Sequence, residues 1–354
     1  MQRFLRFGDQ AAALQCLTFF LTAISYMTSI KSFGVLALSA LLLTAMPGVS
    51  AAADWPAGKP ISLIIPYAAG GFADTRMRLL GRELAEELNA NVVVENKAGA
   101  GGIIGTADLA RSKPDGYTIG SGNLAPLSVN PTLMPKNVTY DVQKDIAPVI
   151  LIEESPLILS VNKNVPVKTI ADLIALAKKD PGALTFGSSG VGGAHHLSGE
   201  LFASEAGIKL THVPYKGGAP AATDLIAGHI DMMFEMGYAA MPAIQAKKVH
   251  PLAVTSSHRL PLLPDVPTIA ESGLPGFESY NWQGIIAPAG TPEPIIQKLN
   301  AAFNKILQKP EIKKAFDQTG GQIAGGTPED FTNFIQSETK KWASVIEKAN
   351  ISVD

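Results

Sequence analysis

The sequence predicts an α/β fold in which two lobes, each built on a largely parallel sheet, are joined by two crossover segments. β-rich apolar runs alternate with segments of helical periodicity over residues 61–255, a pattern typical of parallel sheets with right-handed crossovers. Glycine-rich turns follow two of the predicted strands, at Gly70-Gly71 and at Gly187–Gly193. Irregular, proline-rich stretches near residues 150 and 280 interrupt the alternation. Two such crossings are what closure of two lobes around a ligand requires.

The first 53 residues are expected to be an export signal. Lys31 precedes an apolar run, and small residues at 50–53 predict cleavage between Ala51 and Asp54. A further apolar run lies upstream of Met27, so Met27 is the expected true start. The alternative is a retained membrane anchor, which Lys31 and several Ser and Thr residues disfavour because they interrupt the apolar stretch. The expected compartment is the periplasm.

Composition narrows the class of function. The 354 residues carry a net charge of -2, and no basic tract interleaved with aromatic residues is present, so nucleic acid is not an expected partner. The single cysteine, Cys16, lies in the predicted leader. The exported chain therefore needs no disulfide, and burial of apolar surface must stabilise it.

The turn between the first predicted strand and helix is a candidate anion site. Ile61–Tyr67 has the composition of a buried strand, and helical spacing continues over Thr75–Glu87 with Asp74 as the expected N-cap. Gly70 and Gly71 leave backbone N–H groups uncovered ahead of the helix. Such groups and the positive end of the helix dipole attract a carboxylate or phosphate. The alternative is a plain βα turn with glycine for geometry.

Further strands of the first lobe are expected to end at the same crevice. Strands are predicted at Asn91–Glu95 and Tyr117–Gly120, the second followed by Ser121 and Asn123. Ligands of parallel sheets bind beyond the carboxyl ends of the strands. The stretch 124–150 is predicted to be irregular and to end in an apolar run over 146–153.

The second lobe repeats the arrangement. Strands are predicted at Leu157–Val161 and Leu184–Ser188, and the second glycine turn leads into an amphipathic helix. Helices capped by Thr169, Thr291 and Thr327 are also expected. The predicted boundaries are a leader over 1–53, a first lobe over 54–154 and 281–354, and a second lobe over 155–280.

Four side chains near the second turn are candidate ligand contacts, and three of them also have another interpretation. His195 is expected to face solvent or donate one hydrogen bond, with ligand contact as the alternative. Lys216 is expected to be a solvated loop residue, with anion binding or nucleophilic chemistry as the alternative. Tyr215 suits an amphipathic wall with a hydroxyl. Glu235 ends a strand at the same edge, where it would meet a ligand ammonium or hydroxyl, or be solvated or paired with a lysine.

No enzyme constellation is visible. Ser189 lies in Gly187-Ser-Ser-Gly-Val, which lacks the last glycine of a G-x-S-x-G elbow, and no phosphate-binding G-x-x-x-x-G-K-[ST] loop is present. The histidines are scattered except for His195-His196, which adjoin and so are expected on different helix faces. The chain is therefore predicted to be neither an enzyme nor a metal or cofactor protein.

Ordered motifs along the exported chain resemble the Bug family, the TctC-like substrate-binding proteins of tripartite tricarboxylate transporters. The resemblance covers essentially all of the chain after the leader. The motifs are Trp55–Pro60, Ala69–Asp74 with Arg78, Val94–Gly102, Asp115–Tyr117, Gly187–Gly190, His196–Phe202, His212–Gly217, Asp224–Asp231, Leu263–Thr268, Gly273–Gly276 and Ala287–Pro292.

The resemblance implies a type II periplasmic binding protein, a monomer that closes on a small carboxylated molecule and delivers it to the membrane permease of such a transporter. It implies that the first turn grips a carboxylate through backbone groups and water while the second lobe holds the other end. Together with the residue-based arguments it predicts these ligand-binding residues: Tyr67, Ala69, Gly70, Gly71, Phe72, Asp74, Ser121, Asn123, Ser188, Ser189, Gly190, Gly193, His195, Tyr215, Lys216, Gly217 and Glu235.

Two departures from the usual family pattern leave the ligand open. Tyr67 and Phe72 are bulky for the first turn, and Glu-Met-Gly at 235–237 replaces a more usual Asp-Asn type of sequence. An aromatic carboxylate and a ligand carrying an amine or hydroxyl both remain options. A periplasmic sensor for a signalling system is the alternative function, and a hydrolase or lyase of carboxylated substrates using Lys216, His195 or Glu235 is a further one.

Overall fold

The computed structural model describes residues 55–353, and the predicted leader, its cleavage site and Cys16 lie outside them. The strands are β1 (Ile61–Ile65), β2 (Val92–Asn96), β3 (Thr118–Asn123), β4 (Ile146–Asn162), β5 (Thr185–Ser188), β6 (Thr211–Pro214), β7 (Met232–Met236), β8 (Val249–Val254), β9 (Tyr280–Pro288) and β10 (Gln322–Gly325). The helices are α1 (Phe72–Leu88), α2 (Ile103–Ala110), α3 (Asn130–Leu133), α4 (Ile170–Lys179), α5 (Ala194–Ala206), α6 (Gly218–Ala227), α7 (Gly237–Gln245), α8 (Glu293–Leu307), α9 (Pro310–Asp317) and α10 (Pro328–Lys348). A 3₁₀ turn and a π-helical turn cover Ala100–Gly102 and Ala125–Val129.

The strands form two sheets that share β4. The first has the order β2-β1-β3-β9-β4 with β10 also on β4, and the second the order β6-β5-β7-β4 with β8 also on β4. β1 is parallel to β2 and β3, and β5 is parallel to β6 and β7, whereas β4 and β9 run antiparallel to their neighbours. The predicted α/β fold is thus confirmed. The elements around these sheets are called the first half and the second half below.

β4 differs from its prediction. Instead of an apolar run followed by a separate strand, the chain forms one strand of 17 residues. Ile146–Pro156 pairs with β9, and Leu157–Val161 pairs with β7. Pro148 lies at a register shift, and such irregularities are where a strand accommodates proline. Most of β4 is buried on both faces, which removes the period-2 pattern that would have predicted its length.

Local capping patterns were predicted correctly at two of three threonines. The Thr169 and Thr327 hydroxyls accept from Asp172 N–H and Asp330 N–H, and each aspartate accepts in return, forming two capping boxes. Thr291 is not a cap. Pro292 is the N-cap of α8, and the Thr291 hydroxyl donates to the Pro288 carbonyl at 2.7 Å.

Helix α10 packs against the core through its apolar side. Phe331 and Trp342 are fully buried, and the ring of Phe331 meets Trp282 edge-on at 5.8 Å. The indole N–H groups of Trp282 and Trp342 both donate to Glu338 Oε2, at 3.2 and 2.8 Å. Among residues 55–353, no helix has the length and hydrophobicity needed to cross a membrane.

Candidate functional site

The first glycine turn opens α1 three residues earlier than predicted. β1 ends at Ile65 and α1 begins at Phe72, with Gly71 as N-cap (φ -78°, ψ 175°). Gly70 has φ +82°, a conformation that favours glycine. The prediction that Asp74 caps the helix is wrong, because Asp74 lies in the third helical position and its carboxylate accepts from Gly70 N–H at 2.8 Å.

Asp74 connects the turn to neighbouring side chains through its carboxylate. It is buried, pairs with Arg78 Nε at 2.9 Å and accepts from Asn96 Nδ2 at 2.8 Å. The hydrogen bond from Arg78, with those from Gly70 and Asn96, lowers the pKa of Asp74 to about 2. Asn96 also donates to the Tyr67 carbonyl at 3.0 Å, so this network holds both ends of the turn.

The turn presents unpaired donors to its outer side. Residues 68–71 are exposed, and the first N–H groups of α1, at Phe72 and Ala73, have no intrahelical partner. No atom lies closer than 3.6 Å to a Cβ added at Gly71. The geometry suits a carboxylate resting on the helix N-terminus. Burial of the Tyr67 phenol raises its pKa.

The second glycine turn repeats this construction. Gly193 is the N-cap of α5, with φ -79° and ψ 165°, close to the values at Gly71. His196, in the third helical position, accepts from Gly192 N–H through Nδ1 at 3.1 Å, as Asp74 accepts from Gly70. In both helices, the N–H of the residue before the N-cap therefore donates to the side chain of the third helical residue. The acceptor is a carboxylate in the first half and an imidazole in the second.

A stacked histidine pair lies under the second turn. The rings of His196 and His212 are 3.8 Å apart between centroids and nearly parallel. His212 Nε2 lies 2.6 Å from Ser188 Oγ, which also bonds Gly190. Burial and the neighbouring His196 lower the pKa of His212 to about 4.

The expectation that His195 faces solvent is wrong, because His195 and the adjacent His196 are both buried. Its Nδ1 lies 2.7 Å from Ser189 Oγ, and its Nε2 lies 2.9 Å from Glu235 Oε1 in a contact that is not aligned as a hydrogen bond. Glu235 is likewise neither solvated nor paired with a lysine. Packing of α5 over the end of β7 brings these residues together, which a helical wheel drawn for α5 alone cannot show.

The loop between β6 and α6 has one half-buried side chain, Tyr215, and one exposed side chain, Lys216. The Tyr215 hydroxyl donates to Asp224 Oδ2 at 2.7 Å, and burial together with that carboxylate raises the pKa of Tyr215 to about 12. Lys216 is exposed, as its preferred interpretation held. Gly217 is the N-cap of α6 with φ +117°.

Ser121 and Asn123 belong to β3 instead of following it. Both are buried, and Ser121 Oγ donates to Asn123 Oδ1 at 2.9 Å. They face their antiparallel partners Ile285 and Gln283 on β9. The structure therefore places Ser121 and Asn123 inside the sheet, where they are buried, whereas residues 68–71 of the first turn are exposed.

Two contacts join the halves beside the turns. The rings of Phe72 and Tyr238 stack at 5.1 Å with an interplanar angle of 2°. A Cβ added at Gly192 would lie 2.5 Å from Leu133 Cδ2, so the second turn packs directly on α3. Sequence reasoning missed Tyr238, whose helix lacks a distinctive motif, and Asn96, although Asn96 lies in one of the family-like motifs.

Within residues 55–353, no three His, Cys, Asp or Glu side chains are grouped as a metal site would need. The chemistry of the region is that of backbone donors, hydroxyl groups and imidazole–carboxylate contacts, at His195–Glu235 and His196–Glu200.

A family model described as the tripartite tricarboxylate transporter family receptor, TctC, matches residues 77–351. The chain belongs to this family. Among its relatives, a protein encoded in the tcbD–tcbE intergenic region of a Pseudomonas species is 40% identical over 88% of this chain and 93% of its own. Protein BugT of Bordetella pertussis is 37% identical over 86% of this chain and 94% of its own.

Solved structures of the family share the fold. Rpa4515 of R. palustris, solved with adipate, is 36% identical, with a TM-score of 0.74 over 84% of this chain and 99% of its own. MatC from Rhodopseudomonas palustris, solved with bound malate, is 33% identical, with a TM-score of 0.70 over 81% and 98%. The resemblance stated from the sequence motifs is thereby confirmed, as is the fold of a periplasmic binding protein.

Proposed function

We propose that this chain is an extracytoplasmic solute receptor that binds a small carboxylate-containing ligand in a cleft between two lobes. The observation that carries the proposal is the repeated turn, in which a glycine N-cap begins a helix at Gly71 in the first half and at Gly193 in the second. Two relatives bind adipate and malate, which supports a carboxylate for this chain. The predicted ligand-binding residues remain part of the proposal.

The lobes are proposed to be residues 54–154 with 281–354, and residues 155–280. The pairing of β4 supports this division, since its partner changes from β9 to β7 between Pro156 and Leu157. The chain returns to the first sheet at β9. Two connections of this kind permit a hinge motion.

The same proposal includes three further properties. They are delivery of the ligand to a tripartite tricarboxylate-type permease, action as a monomer and location in the periplasm. Membership of a transporter receptor family supports them. The expected leader over residues 1–53 supports export.

A hydrolase acting on carboxylated substrates is the competing function, because Ser189, His195 and Glu235 form a chain of hydroxyl, imidazole and carboxylate. The misaligned contact between His195 and Glu235 disfavours it, since a general base is held in its productive tautomer by an aligned hydrogen bond. A receptor returns its ligand unchanged, whereas a hydrolase consumes it.

The test is a thermal-shift screen of the purified protein against mono-, di- and tricarboxylates, amino acids and aromatic acids, followed by mass spectrometry of the recovered ligand. A ligand at 1,000 times its dissociation constant adds roughly 4 kcal/mol, which raises the melting temperature by several degrees. An intact carboxylate hit is the expected result. A consumed hit would make the protein an enzyme, and a well-folded protein without any carboxylate hit would refute the receptor function proposed.

A further inference from the structure

The acceptors of the two glycine turns differ in their response to acid. In the first turn, the Asp74 carboxylate accepts from Gly70 N–H at 2.8 Å, and the pKa of Asp74 is lowered to about 2. In the second turn, His196 Nδ1 accepts from Gly192 N–H at 3.1 Å. An imidazole nitrogen accepts a hydrogen bond only while it carries no proton. Mild acid can therefore break the second bond and leave the first intact.

The hydrogen bonds of the second turn assign one proton to each ring of the stacked histidine pair. Because Nδ1 of His196 accepts from Gly192, the ring proton of neutral His196 is on Nε2. Ser188 Oγ donates to the Gly190 carbonyl at 3.0 Å, so in its 2.6 Å contact with His212 Nε2 the imidazole is the donor. An added proton on His196 can bind only at Nδ1, where it removes the acceptor of the Gly192 N–H.

The surroundings of the pair favour His196 as the site of that added proton. Glu200 Oε1, on the same helix, lies 3.5 Å from His196 Nε2, and a carboxylate favours an imidazolium beside it. His212 is less suited to take up the proton, because burial and the neighbouring His196 lower its pKa to about 4. The ring centroids are 3.8 Å apart, so a charge on one ring also disfavours a charge on the other.

Ionisable groups on the other elements around the pair face different partners. Glu235 on β7 faces His195. Lys341 on α10 acts on Glu205, close to the carboxyl end of α5. Neither β5 nor α3 contains an ionisable side chain. Burial thus opposes protonation of the pair, and Glu200 favours it at His196.

Gly192 is also the point at which the second turn packs on α3. The residue is buried, with φ +77°. A Cβ added there would lie 2.5 Å from Leu133 Cδ2 and 3.9 Å from Val129 Cγ1. A buried N–H that has lost its acceptor is disfavoured, so the turn has to move until water reaches that N–H. This movement removes the close packing of Gly192 on the first half.

We propose that the stacked pair of His196 and His212 is an acid-sensitive switch. Protonation of His196 releases Gly192, frees the second glycine turn from α3 and allows the halves to separate, while the first turn keeps its bond. Protonated histidines rearrange interfaces in this way because the added charge and the lost acceptor act at the same place. Release of the turn requires no ligand, and separation of the halves rests on the two-lobe division proposed above.

The first test measures the Gly192 amide by NMR in the purified protein without ligand. Val191-Gly192 is the only Val-Gly pair in the sequence, so isotope labels on the valine carbonyl carbon and the glycine nitrogen give one correlated signal. Between pH 7.5 and 5 the Gly192 amide proton should shift upfield, and its protection from hydrogen exchange should fall about tenfold. The Gly70 amide is the internal reference and should not shift. An unchanged Gly192 amide, or an equal shift at Gly70, would overturn the proposal.

His196→Asn tests which group takes up the proton. The asparagine amide oxygen can accept from Gly192 N–H but binds no proton in this pH range, so the shift of Gly192 with pH should disappear. His229→Gln, at an exposed histidine, is the matched control and should leave the shift unchanged. Persistence of the shift in His196→Asn would contradict the proposal.

Glu200→Gln provides a second variant in case His196→Asn fails to fold by circular dichroism. It removes the carboxylate that favours the imidazolium, so the change at Gly192 should move to lower pH. A change that moves to higher pH would contradict the proposal.

The second test measures the separation of the halves with spin labels. Lys113 lies in the first half and Lys179 in the second, and both are exposed. Labels are attached in Lys113→Cys with Lys179→Cys, after Cys16→Ser has removed the single cysteine of the chain. The distances from double electron–electron resonance should shift between pH 7.5 and 5, and should not shift when His196→Asn is added. A response of Gly192 without any shift in distance would refute the separation of the halves. Neither test uses a ligand, so failure here is distinct from failure of the carboxylate receptor function.

Discussion

At the scale of single residues, the two turns form the same backbone hydrogen bond with chemically different acceptors. Asp74 and His196 occupy the same helical position and accept the same kind of backbone bond. Asp74 is an anion paired with Arg78, whereas His196 stacks on His212. The acceptor of the second turn also lies beside a carboxylate, because His196 Nε2 is 3.5 Å from Glu200 Oε1.

A first residue-scale prediction concerns Gly71. With φ -78° and no atom within 3.6 Å of an added Cβ, the backbone accepts a side chain there, so Gly71→Ala and Gly71→Val should melt close to the unmodified protein. The side chain would cover the N–H groups ahead of α1, and carboxylate affinity should fall progressively, by tenfold or more in Gly71→Val. Calorimetric titration measures this. Unchanged affinity in Gly71→Val would remove the turn from the binding site.

A second residue-scale prediction concerns pH. The pKa of His212 is lowered to about 4 from 6.5, so the unfolded chain takes up the proton first as the pH falls. The neutral His212 should therefore make its whole contribution to the free energy of unfolding above pH 6.5. That contribution should decline between pH 6.5 and 4, by on the order of 2 kcal/mol. Urea unfolding at pH 7.5 and 4.5 measures the decline, which His212→Gln should reduce. His229→Gln, at an exposed histidine, is the control and should not reduce it.

At the scale of elements, a buried ion pair ties α1 to the strands that connect the halves. Arg76 on α1 meets both oxygens of Glu153 on β4, at 2.7 and 2.9 Å, and Gln283 on β9 donates to the same carboxylate at 3.1 Å. The guanidinium also lies 3.6 Å from the ring centroid of Phe316. The first helix N-terminus is thereby fixed relative to β4 and β9.

The element-scale prediction follows from this pair. Arg76→Leu leaves Glu153, which is fully buried, without its cation and should cost about 3–5 kcal/mol of unfolding free energy. The double variant Arg76→Leu with Glu153→Leu should recover much of that loss, since it removes the unpaired charge. Urea denaturation of the unmodified protein, the two single variants Arg76→Leu and Glu153→Leu, and the double variant measures the coupling. Additive losses would show that the two side chains stabilise the fold independently.

At the scale of the whole molecule, the stacked rings of Phe72 and Tyr238 connect the two halves next to the first turn. Phe72 is the first residue of α1 and Tyr238 lies in the first turn of α7. Under the proposed receptor function, this contact favours a closed arrangement, because it exists only while the halves meet.

The corresponding prediction is that Tyr238→Ala weakens ligand binding through faster release. Loss of an aromatic pair worth about 0.5–1.5 kcal/mol should lower affinity by roughly threefold to tenfold, with most of the change in the dissociation rate. Stopped-flow fluorescence or surface plasmon resonance with the identified ligand measures it. Tyr238→Phe retains the ring and should behave like the unmodified protein, and an identical loss in both variants would contradict a role for stacking.

The sequence by itself determined the features that depend on neighbouring residues. The alternation of strands and helices, both glycine turns and the helix caps at Thr169 and Thr327 were predicted, because each is encoded within a few residues. The ordered motifs were sufficient to indicate the family that the comparisons confirm.

Only the tertiary structure decided how distant residues combine. Ser189, His195 and Glu235 lie on a turn, a helix and a strand, and their contacts arise when α5 packs over β7, so no local pattern reveals that His195 is buried. The continuity of β4 also escaped prediction, since burial on both faces removes the alternation that marks a strand. Hydrophobic periodicity shows which face of a single helix or strand is exposed to solvent. Burial and charge pairing of its residues depend also on the other elements that pack against it.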